Sequence, residues 1–227
     1  MTTLVLASAS PARLATLRAA GIEPTVAVSA VDEPAVLAAA GDVPPAEAVL
    51  LLARAKARDV APGRAGSLVL GCDSMLELDG QVLGKPADAA DAAARWRAMR
   101  GRSGRLHTGH WLVDGRDAGD GAGGDGDGAG VGVRAGDGGG AGRESGATST
   151  TVVHFADVTD AEVDAYVATG EPLWVAGAFT IDGLGGAFIT RVEGDHHGVV
   201  GLSLPLLREL LAARGVPLHT LWTRLPS

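Results

Sequence analysis

One acid and one base lie at the two ends of a short hairpin pattern in residues 71–86, GCDSMLELDGQVLGKP. Asp73 follows the apolar run LVLGC, which predicts a buried strand, and ligands of open α/β sheets gather beyond the carboxyl ends of strands. A carboxylate at that place can hold a divalent metal or take a proton from water. The alternative is that Asp73 caps the turn behind it. Lys85 is held extended by Pro86 and suits a point contact to a phosphate.

Lysine is rare in this chain, which has 17 arginines but only two lysines, Lys56 and Lys85, and no asparagine. This composition is typical of a GC-rich coding bias that turns lysine into arginine wherever the chemistry permits. A compact ammonium with three rotatable donors differs from a flat guanidinium, so both lysines are candidates for places where arginine would fail. Chance survival is the alternative, and Lys56, at the boundary of the apolar face of its helix, would then only snorkel.

Two further segments hold candidate site residues. SASPAR, residues 8–13, has small residues that let the backbone approach a ligand closely. The hydroxyls of Ser8 and Ser10, free N–H groups at a helix start and the Arg13 side chain could all contact an anion. An ordinary helix N-cap is the alternative. In VDE, Glu33 follows a strand-like stretch and lies near a predicted loop, where a carboxylate is usually solvated.

Cysteine and histidine indicate less chemistry. Cys72 has no flanking base that would make it a nucleophile, so we interpret it as a small buried hydrophobic residue. His107 and His110 are three residues apart on a predicted strand and should point to opposite faces. His196 and His197 lie in a predicted turn. The histidines therefore do not form a metal set.

Helices and strands must position these residues, and their order predicts an α/β fold whose strands are too scattered for a regular βαβ repeat. Five helices are predicted. The first follows Ser10, the second covers 45–60 and the third ends at Gly101. The fourth begins at a capping box of Thr159 with Glu162, and the last covers PLLRELLAARG. Predicted strands are LVLA, SLVLGCD, the hairpin MLELDGQVL, LHTGHWLV, STTVVHFADV and two strands around a glycine turn in residues 177–195.

Residues 114–147 differ from the rest of the chain. They hold 15 of the 34 glycines and seven acids against three arginines. Such a segment cannot bury apolar surface, so we expect a flexible Gly/Asp-rich insertion within a single catalytic domain over 1–227. The segment GAGGDG inside it matches G-x-G-x-x-G, but no predicted strand leads into it and no helix follows, so it fails as a dinucleotide site.

The composition of the whole chain argues against several classes of protein. The apolar fraction of 46% is ample for a packed core, and no apolar run approaches the ~18 residues that span a bilayer. A net charge of −8 argues against a grip on nucleic-acid phosphates. The first residues lack the basic region of a signal peptide, and a single cysteine fits a reducing cytoplasm. We expect a cytoplasmic protein without nucleic-acid or membrane partners.

Eight segments in this order resemble the Maf family of nucleoside triphosphate pyrophosphatases: LASASPARLATLRAAGI, VDE, ARAKA, LGCDSMLELDGQVLGKP, HTG, YVATGEPL, AGAFTIDGLGGAFI and VVGLSLPLLRELL. The resemblance covers nearly the whole chain outside the insertion. It implies a mixed twisted sheet flanked by helices, with two lobes around a deep cleft. It also implies metal-dependent hydrolysis of a nucleotide between its α- and β-phosphates, which yields a monophosphate and pyrophosphate.

The resemblance also implies roles for single residues. Asp73 would be the base that activates water, and Glu33 would complete the acid cluster with a divalent cation, Mg or Mn. The triphosphate would be held by Ser8, Arg13, Lys56 and Lys85. A nucleotide-binding regulator of septum formation and cell division with little catalysis is the alternative, although a pure sensor needs no water-activating base. We also expect a homodimer.

Two departures from the family pattern bear on phosphate and base recognition. Ala12 stands where the family has the first of two arginines, so the phosphate grip would depend more on Arg13. Asp182 stands where the family has glutamine or glutamate, and Val175 where one subgroup has lysine. A carboxylate only accepts hydrogen bonds, which suits the N1–H and amino group of a guanine. We therefore expect modified or guanine-like bases rather than UTP or dTTP.

Overall fold

A computed structural model describes residues 2–116, 134–135 and 144–223, and only the backbone of 134–135. The strands are β1 (Thr3–Leu6), β2 (Thr25–Val26), β3 (Ser67–Leu78), β4 (Gln81–Leu83), β5 (Ser103–Asp114), β6 (Arg134–Ala135), β7 (Glu144–Phe155) and β8 (Ile189–Glu193). The α-helices are α1 (Pro11–Ala19), α2 (Glu33–Ala40), α3 (Pro45–Val60), α4 (Ala89–Met99), α5 (Asp160–Ala168), α6 (His196–Val200) and α7 (Leu204–Ala212). Within these ranges, no helix is long and apolar enough to cross a membrane.

The strands of the described residues form one mixed sheet. Its order is β2-β1-β3-β5-β7-β6, with β4 beside β3 and β8 beside β7. β1 pairs in parallel with both β2 and β3, and the other pairs are antiparallel. The predicted fold class, an α/β protein with a mixed sheet flanked by helices, is confirmed.

β3 is longer than the sequence pattern indicates. Two predicted strands, SLVLGCD and MLEL, form one strand of 12 residues whose pairing with β5 continues to Glu77. Asp73 therefore lies within a strand and not at its end, because the ladder with β5 runs past it. The predicted hairpin is confirmed at Asp79 and Gly80, which have φ values of 51° and 79°. Positive φ at both central residues is what a type I′ turn requires.

α3 packs against the sheet at two glycines. A Cβ at Gly71 would lie 2.1 Å from the carbonyl oxygen of Ala53, and a Cβ at Gly109 would lie 2.3 Å from that of Val49. The helix thus lies closer to β3 and β5 than any side chain at these positions would allow. The predicted bounds of this helix, 45–60, are confirmed.

Two main apolar clusters lie along the long strands. One packs α7 and α1 against β1 and the first half of β3, around Leu70 and Leu207. The other packs α4 and α5 against the second half of β3, around Leu76 and Trp96. The two lobes and the deep cleft between them stay predictions.

Two local predictions in the last third of the chain are wrong. Residues 177–188, predicted to begin with a strand, contain two 3₁₀ turns, because Gly177 and Ala178 have φ values of 71° and 58° that no strand tolerates. His196 starts the short helix α6, where a turn is predicted, and Asp195 caps that helix. The second predicted strand of this region is β8.

The insertion predicted at 114–147 falls largely outside the described residues. Residues 117–133 and 136–143 are not described, and these include GAGGDG. Its two ends belong to the sheet, since Asp114 closes β5 and residues 144–147 open β7. The boundaries of the single domain and its insertion stay a prediction.

Candidate active site

Lys56 lies between two carboxylates and brings three of the predicted site residues together. Its Nζ is 2.6 Å from Oδ1 of Asp73 and 2.7 Å from Oε1 of Glu33. The side chains of Lys56 and Asp73 are 10% and 11% exposed, whereas that of Glu33 is 48% exposed. The alternative that Lys56 only snorkels is wrong, because its ammonium group pairs with a buried acid.

Glu33 is positioned by the start of a helix. It is the first residue of α2, and the side chain of Asp32 caps this helix by accepting the N–H of Ala35 at 3.0 Å. Pro34 suits the first turn because its missing N–H would have no partner there. The sequence predicts Glu33 near a loop, and the structure places it directly after one, where the start of α2 directs it to Lys56.

Lys56 and Asp73 meet because α3 lies close to β3. Side chains two residues apart on a strand point to the same face, so Gly71 and Asp73 both face α3. The missing side chain at Gly71 lets the helix backbone touch the strand. Lys56, one helical turn after Ala53 in α3, is thereby brought to Asp73.

The buried carboxylate of Asp73 has the properties of a proton acceptor. Burial raises the pKa of Asp73, and the nearby charges of Lys56 and Arg13 oppose that effect. Oδ1 accepts a hydrogen bond from Lys56, while Oδ2 accepts none from the described residues. A carboxylate with a raised pKa and a free oxygen is suited to take a proton from water.

Asp73 lies just beyond the parallel part of the sheet. The pairing of β1 with β3 ends at Leu6 opposite Leu70, and the next contact is the N–H of Ala7 with the carbonyl of Leu70 at 2.8 Å. The expectation of a site beyond the carboxyl end of a strand thus applies to β1 rather than to β3. The alternative that Asp73 caps the hairpin turn is wrong, since the ladder with β5 separates it from that turn.

The loop after β1 is ordered by its own hydroxyls. Ser10 caps α1 by accepting the N–H of Arg13 at 3.4 Å, so the alternative of an ordinary N-cap is correct for this oxygen. The Ser8 Oγ accepts the N–H of Ser10 at 3.2 Å and an N–H of Arg13 at 3.0 Å. Its own O–H has no acceptor among the described residues and can donate to a ligand. The phosphate contacts of Ser8 and Ser10 stay predictions.

Arg13 is buried, and four of its five N–H groups have protein acceptors. Nε donates to the carbonyl oxygen of Gly201 at 2.8 Å. Nη1 donates to Ser8 Oγ at 3.0 Å and to the carbonyl oxygen of Cys72 at 2.9 Å, and Nη2 donates to Ser74 Oγ at 3.1 Å. The fifth N–H has no acceptor among the residues that the structure describes, so it is left for the phosphate contact that the sequence predicts, and that contact stays a prediction.

Sequence reasoning missed Ser74 and Thr108, which continue this network. Their hydroxyl oxygens are 3.0 Å apart across β3 and β5, and Thr108 donates to the carbonyl oxygen of Gly198 at 2.8 Å. Both lie inside segments that carry the family resemblance, CDS and HTG. The signal that could have found them is a hydroxyl inside an otherwise apolar strand, since a buried hydroxyl needs a partner.

Lys85 and Asp182 form no ion pair with Glu33, Lys56 or Asp73. Both are exposed, and neither forms an ion pair with a described residue. β4 is antiparallel to β3 with Leu83 opposite Leu76, so the chain runs back in the direction of Asp73 as it reaches Lys85. The roles predicted for these two residues stay predictions.

The segment that carries Asp182 is anchored by Glu171, another residue that sequence reasoning missed. Its carboxylate accepts the O–H of Tyr166 at 2.9 Å, the O–H of Thr180 at 2.7 Å, and the backbone N–H groups of residues 184 and 185, each at 2.9 Å. Burial acts to raise the pKa of Glu171, but these hydrogen bonds outweigh it and lower the pKa. The segment YVATGEPL contains the residue, but nothing in the local sequence indicates its partners.

The structure gives His110 and Cys72 internal roles. His110 is fully buried, its Nε2 accepts the N–H of Ser203 at 2.8 Å, and burial lowers its pKa to about 4. His107 points to the opposite face, as predicted, and contacts Glu77 at 2.9 Å. Cys72 is fully buried, which confirms its interpretation as a small buried hydrophobic residue, and burial raises the pKa of its thiol to about 12.

The residues present fit a divalent cation held together with a substrate. Among the described residues, no group of three or more His, Cys, Asp or Glu side chains could hold a metal ion. Mg²⁺, however, is usually bound by one or two carboxylates with substrate phosphates and water as its other ligands. Glu33 and Asp73 converge on Lys56, and each has one carboxylate oxygen without a partner among the described residues. This donor set is the chemistry that such a cation requires.

Comparisons with known proteins agree with this geometry. The family model described as "Maf-like protein" matches residues 3–214. Three curated relatives carry the name "Nucleoside triphosphate pyrophosphatase". The protein of Salinispora tropica is 54% identical over 97% of this chain and 88% of its own length. That of Streptomyces coelicolor is 53% identical over 96% and 94%, and that of Rhodococcus jostii 51% identical over 98% and 97%.

The matched span contains every element that builds the site. It includes the loop after β1, the ion cluster of Glu33, Lys56 and Asp73, and the segment anchored by Glu171. The family expected from the order of the sequence motifs is confirmed by the match over nearly the whole chain, and the chain belongs to the Maf family.

Proposed function

We propose that this protein hydrolyses nucleoside triphosphates to a nucleoside monophosphate and pyrophosphate. The observation that carries the proposal is the buried ammonium of Lys56, which lies between Asp73 and Glu33. Oδ2 of Asp73, next to this ammonium, accepts no hydrogen bond from the described residues. Relatives that are 51–54% identical and named nucleoside triphosphate pyrophosphatase support a nucleotide as the substrate.

Asp73 acts as the general base. Its Oδ2 takes a proton from the attacking water while the contact with Lys56 fixes Oδ1. A bond forms between the water oxygen and the α-phosphorus. The bond from the α-phosphorus to the oxygen that bridges to the β-phosphate breaks, and pyrophosphate leaves with the electron pair of that bond. Burial favours this role because it raises the pKa of Asp73 and makes the carboxylate a stronger proton acceptor.

Positive charges and donors around Asp73 hold the triphosphate. Lys56 has one ammonium N–H beyond its two carboxylate contacts, and Ser8 has an O–H to donate. Lys85 and Ser10 complete the phosphate ligands in this proposal. The oxyanions around phosphorus repel an incoming hydroxide, so donors placed there stabilise the charge that develops in the transition state.

Glu33 and Asp73 hold a divalent cation, Mg or Mn, in this proposal. When bound, such a cation supplies further neutralisation of charge on the phosphate oxygens. Lys56 then serves as the positive charge that orients both carboxylates.

Asp182 contributes to base recognition and favours a modified or guanine-like base. It is exposed on a segment whose backbone is held by Glu171. A carboxylate accepts hydrogen bonds from the N1–H and amino group of guanine and has none to donate to a carbonyl. A substrate panel in which dTTP or UTP turns over fastest would contradict this preference.

A regulator that binds nucleotides with little catalysis is the less favoured function. The relatives are named as enzymes, and Asp73 has a free oxygen that a pure sensor does not need. We further propose a cytoplasmic location, a homodimer and a single catalytic domain with one insertion.

The decisive experiment is hydrolysis by Asp73→Asn. The protein is incubated with a panel of nucleoside triphosphates and Mg²⁺ or Mn²⁺, and pyrophosphate is separated from phosphate. We expect Asp73→Asn to lose about 100-fold or more of the rate with its fold intact, because the amide cannot take the proton. Asp79→Asn, at the exposed hairpin turn, is the matched control and should retain the rate. Full activity in Asp73→Asn would exclude this residue as the base.

A further inference from the structure

We propose that Arg13 is a positioning residue that fixes the Asp73 segment of β3, rather than a ligand of the substrate phosphates. This inference rests on the proposed function, in which Asp73 is the base. The guanidinium contacts the residues on both sides of that base, with the carbonyl oxygen of Cys72 at 2.9 Å and Ser74 Oγ at 3.1 Å. A planar fork of fixed geometry holds two points of one strand more rigidly than a single contact does.

The hydroxyls that follow Arg13 have only one arrangement of protons. Arg13 can only donate, so Ser74 Oγ accepts from it. The carbonyl oxygen of Gly198 can only accept, so Thr108 donates its one proton to it at 2.8 Å. Ser74 must therefore donate to Thr108 in the contact between the two hydroxyls. The chain of hydrogen bonds therefore runs in one direction from α1 through β3 and β5 to α6. A network without alternative proton positions holds its members in a single geometry.

The same guanidinium ties down two further parts of the fold. Nε donates to the carbonyl oxygen of Gly201 at the end of α6, and Nη1 donates to Ser8 Oγ in the loop after β1. Gly201 has a φ of 115°, and a Cβ there would lie 3.3 Å from Nε of Arg13, so the side chain is closely enclosed. Arg13 thus links the loop after β1, the end of α6, and β3 on both sides of Asp73.

Arg13 forms no ion pair with a carboxylate of the described residues. A buried guanidinium is costly unless its donors are satisfied, and here backbone and hydroxyl oxygens satisfy four of the five. Neutral acceptors at fixed positions are the partners expected of a positioning residue, which holds protein segments in place. A phosphate ligand instead needs its donors directed at the ligand, and this side chain has one N–H to offer.

The two roles predict different kinetics. A phosphate ligand contacts the substrate in the ground state as well as in the transition state, so its loss raises KM in addition to lowering kcat, and lysine can replace it in part as a point charge. A positioning residue for Asp73 contributes only to the placement of the base, so its loss lowers kcat and leaves KM unchanged. An error of about 1 Å in the position of a reacting group costs on the order of 100-fold in rate. The three N–H groups of lysine cannot reproduce contacts to four separate acceptors.

The test measures kcat and KM for hydrolysis of the preferred triphosphate by Arg13→Lys, Arg13→Gln, Ser74→Ala and Thr108→Val. We expect kcat to fall by about 10-fold to 100-fold in the Arg13 variants and by about 10-fold in the hydroxyl variants, with KM within about twofold of the wild type. Arg13→Lys should be no better than Arg13→Gln. The double variant Ser74→Ala, Thr108→Val should lose no more than either single variant, because both break one chain. Arg18→Gln, in the exposed pair with Glu23 on the same helix, is the control and should match the wild type.

Each other outcome has a definite reading. Wild-type activity in Arg13→Lys, or a raised KM in the Arg13 variants, would overturn the positioning role in favour of a phosphate ligand. If the Arg13 variants do not fold, unchanged kcat in folded Ser74→Ala and Thr108→Val would overturn it as well. An inactive wild type across the nucleotide panel would instead contradict the proposed function itself.

Discussion

At the scale of single residues, the ammonium of Lys56 balances two carboxylates at once. It contacts Asp73 at 2.6 Å and Glu33 at 2.7 Å from a side chain that is 10% exposed. Two acids that converge without a cation would repel each other. The position therefore needs a compact charge with donors in several directions, which a lysine supplies and a planar guanidinium does not.

We predict that Lys56→Arg lowers kcat by at least about 10-fold, because a flat fork cannot approach both carboxylates at these distances without moving Asp73. Hydrolysis of the preferred triphosphate is the measurement. The matched control is Arg58→Lys, two residues later on α3, where the arginine pairs with Glu144 outside the cluster and activity should be retained. Equal activity in Lys56→Arg and the wild type would mean that the rarity of lysine in this chain says nothing about its chemistry.

At the scale of elements, the site depends on how closely α3 lies against β3 and β5. Gly71 and Gly109 allow contact between helix and strand backbones, and the loss of either close approach would move the whole helix. Lys56 belongs to α3 and Asp73 to β3. The distance between their charged groups therefore depends on the spacing between helix and strand.

We predict that Gly71→Ala destabilises the protein by about 1–3 kcal/mol and also reduces hydrolysis, because the added methyl group pushes α3 away from β3. Its Cβ would lie 2.1 Å from the carbonyl oxygen of Ala53. Urea unfolding and the activity assay measure the two effects. Gly84→Ala is the control, since a Cβ there meets no atom of the described part of the chain within 4 Å and should leave stability almost unchanged. A Gly71→Ala protein as stable and active as the wild type would show that α3 can shift without disturbing the site.

At the scale of the whole molecule, a buried histidine joins the central sheet to the C-terminal helix. His110 lies in β5, and its neutral Nε2 accepts the N–H of Ser203, the N-cap residue of α7. Burial lowers the pKa of His110 from 6.5 to about 4, so the folded state excludes the charged form over that interval. An unfolded chain binds the proton more readily, and acid therefore favours unfolding.

We predict that the free energy of unfolding loses roughly 3 kcal/mol through His110 as the pH falls from about 6.5 to about 4, and that the contribution is complete above that interval. The measurement is urea unfolding at several pH values for the wild type and for His110→Gln, which can accept the same N–H but does not titrate. The difference between the two curves isolates this residue from other acids. Curves that stay parallel through the interval would assign the acid sensitivity to other groups.

Several local features are correct from the sequence because neighbouring residues determine them. The bounds of α3, the Asp79-Gly80 hairpin and the capping box of Thr159 with Glu162 each depend on residues within one or two turns of each other. The family was also evident, since its motifs occur in order along the chain. The predicted length of β3 was wrong, because the partner strand β5, and not the local pattern, decides where that ladder ends.

The sequence by itself determined which chemical groups are present and which segments form most of the helices and strands around them. Tertiary structure alone decided that Lys56 meets an acid 17 residues away and that Arg13 meets a carbonyl 188 residues away. It also decided that Glu33 begins a helix directed at the same ammonium. The physical reason is that the close approach of α3 and the pairing of β3 with β5 fix these distances, and a contact between distant segments leaves no periodic trace in either one.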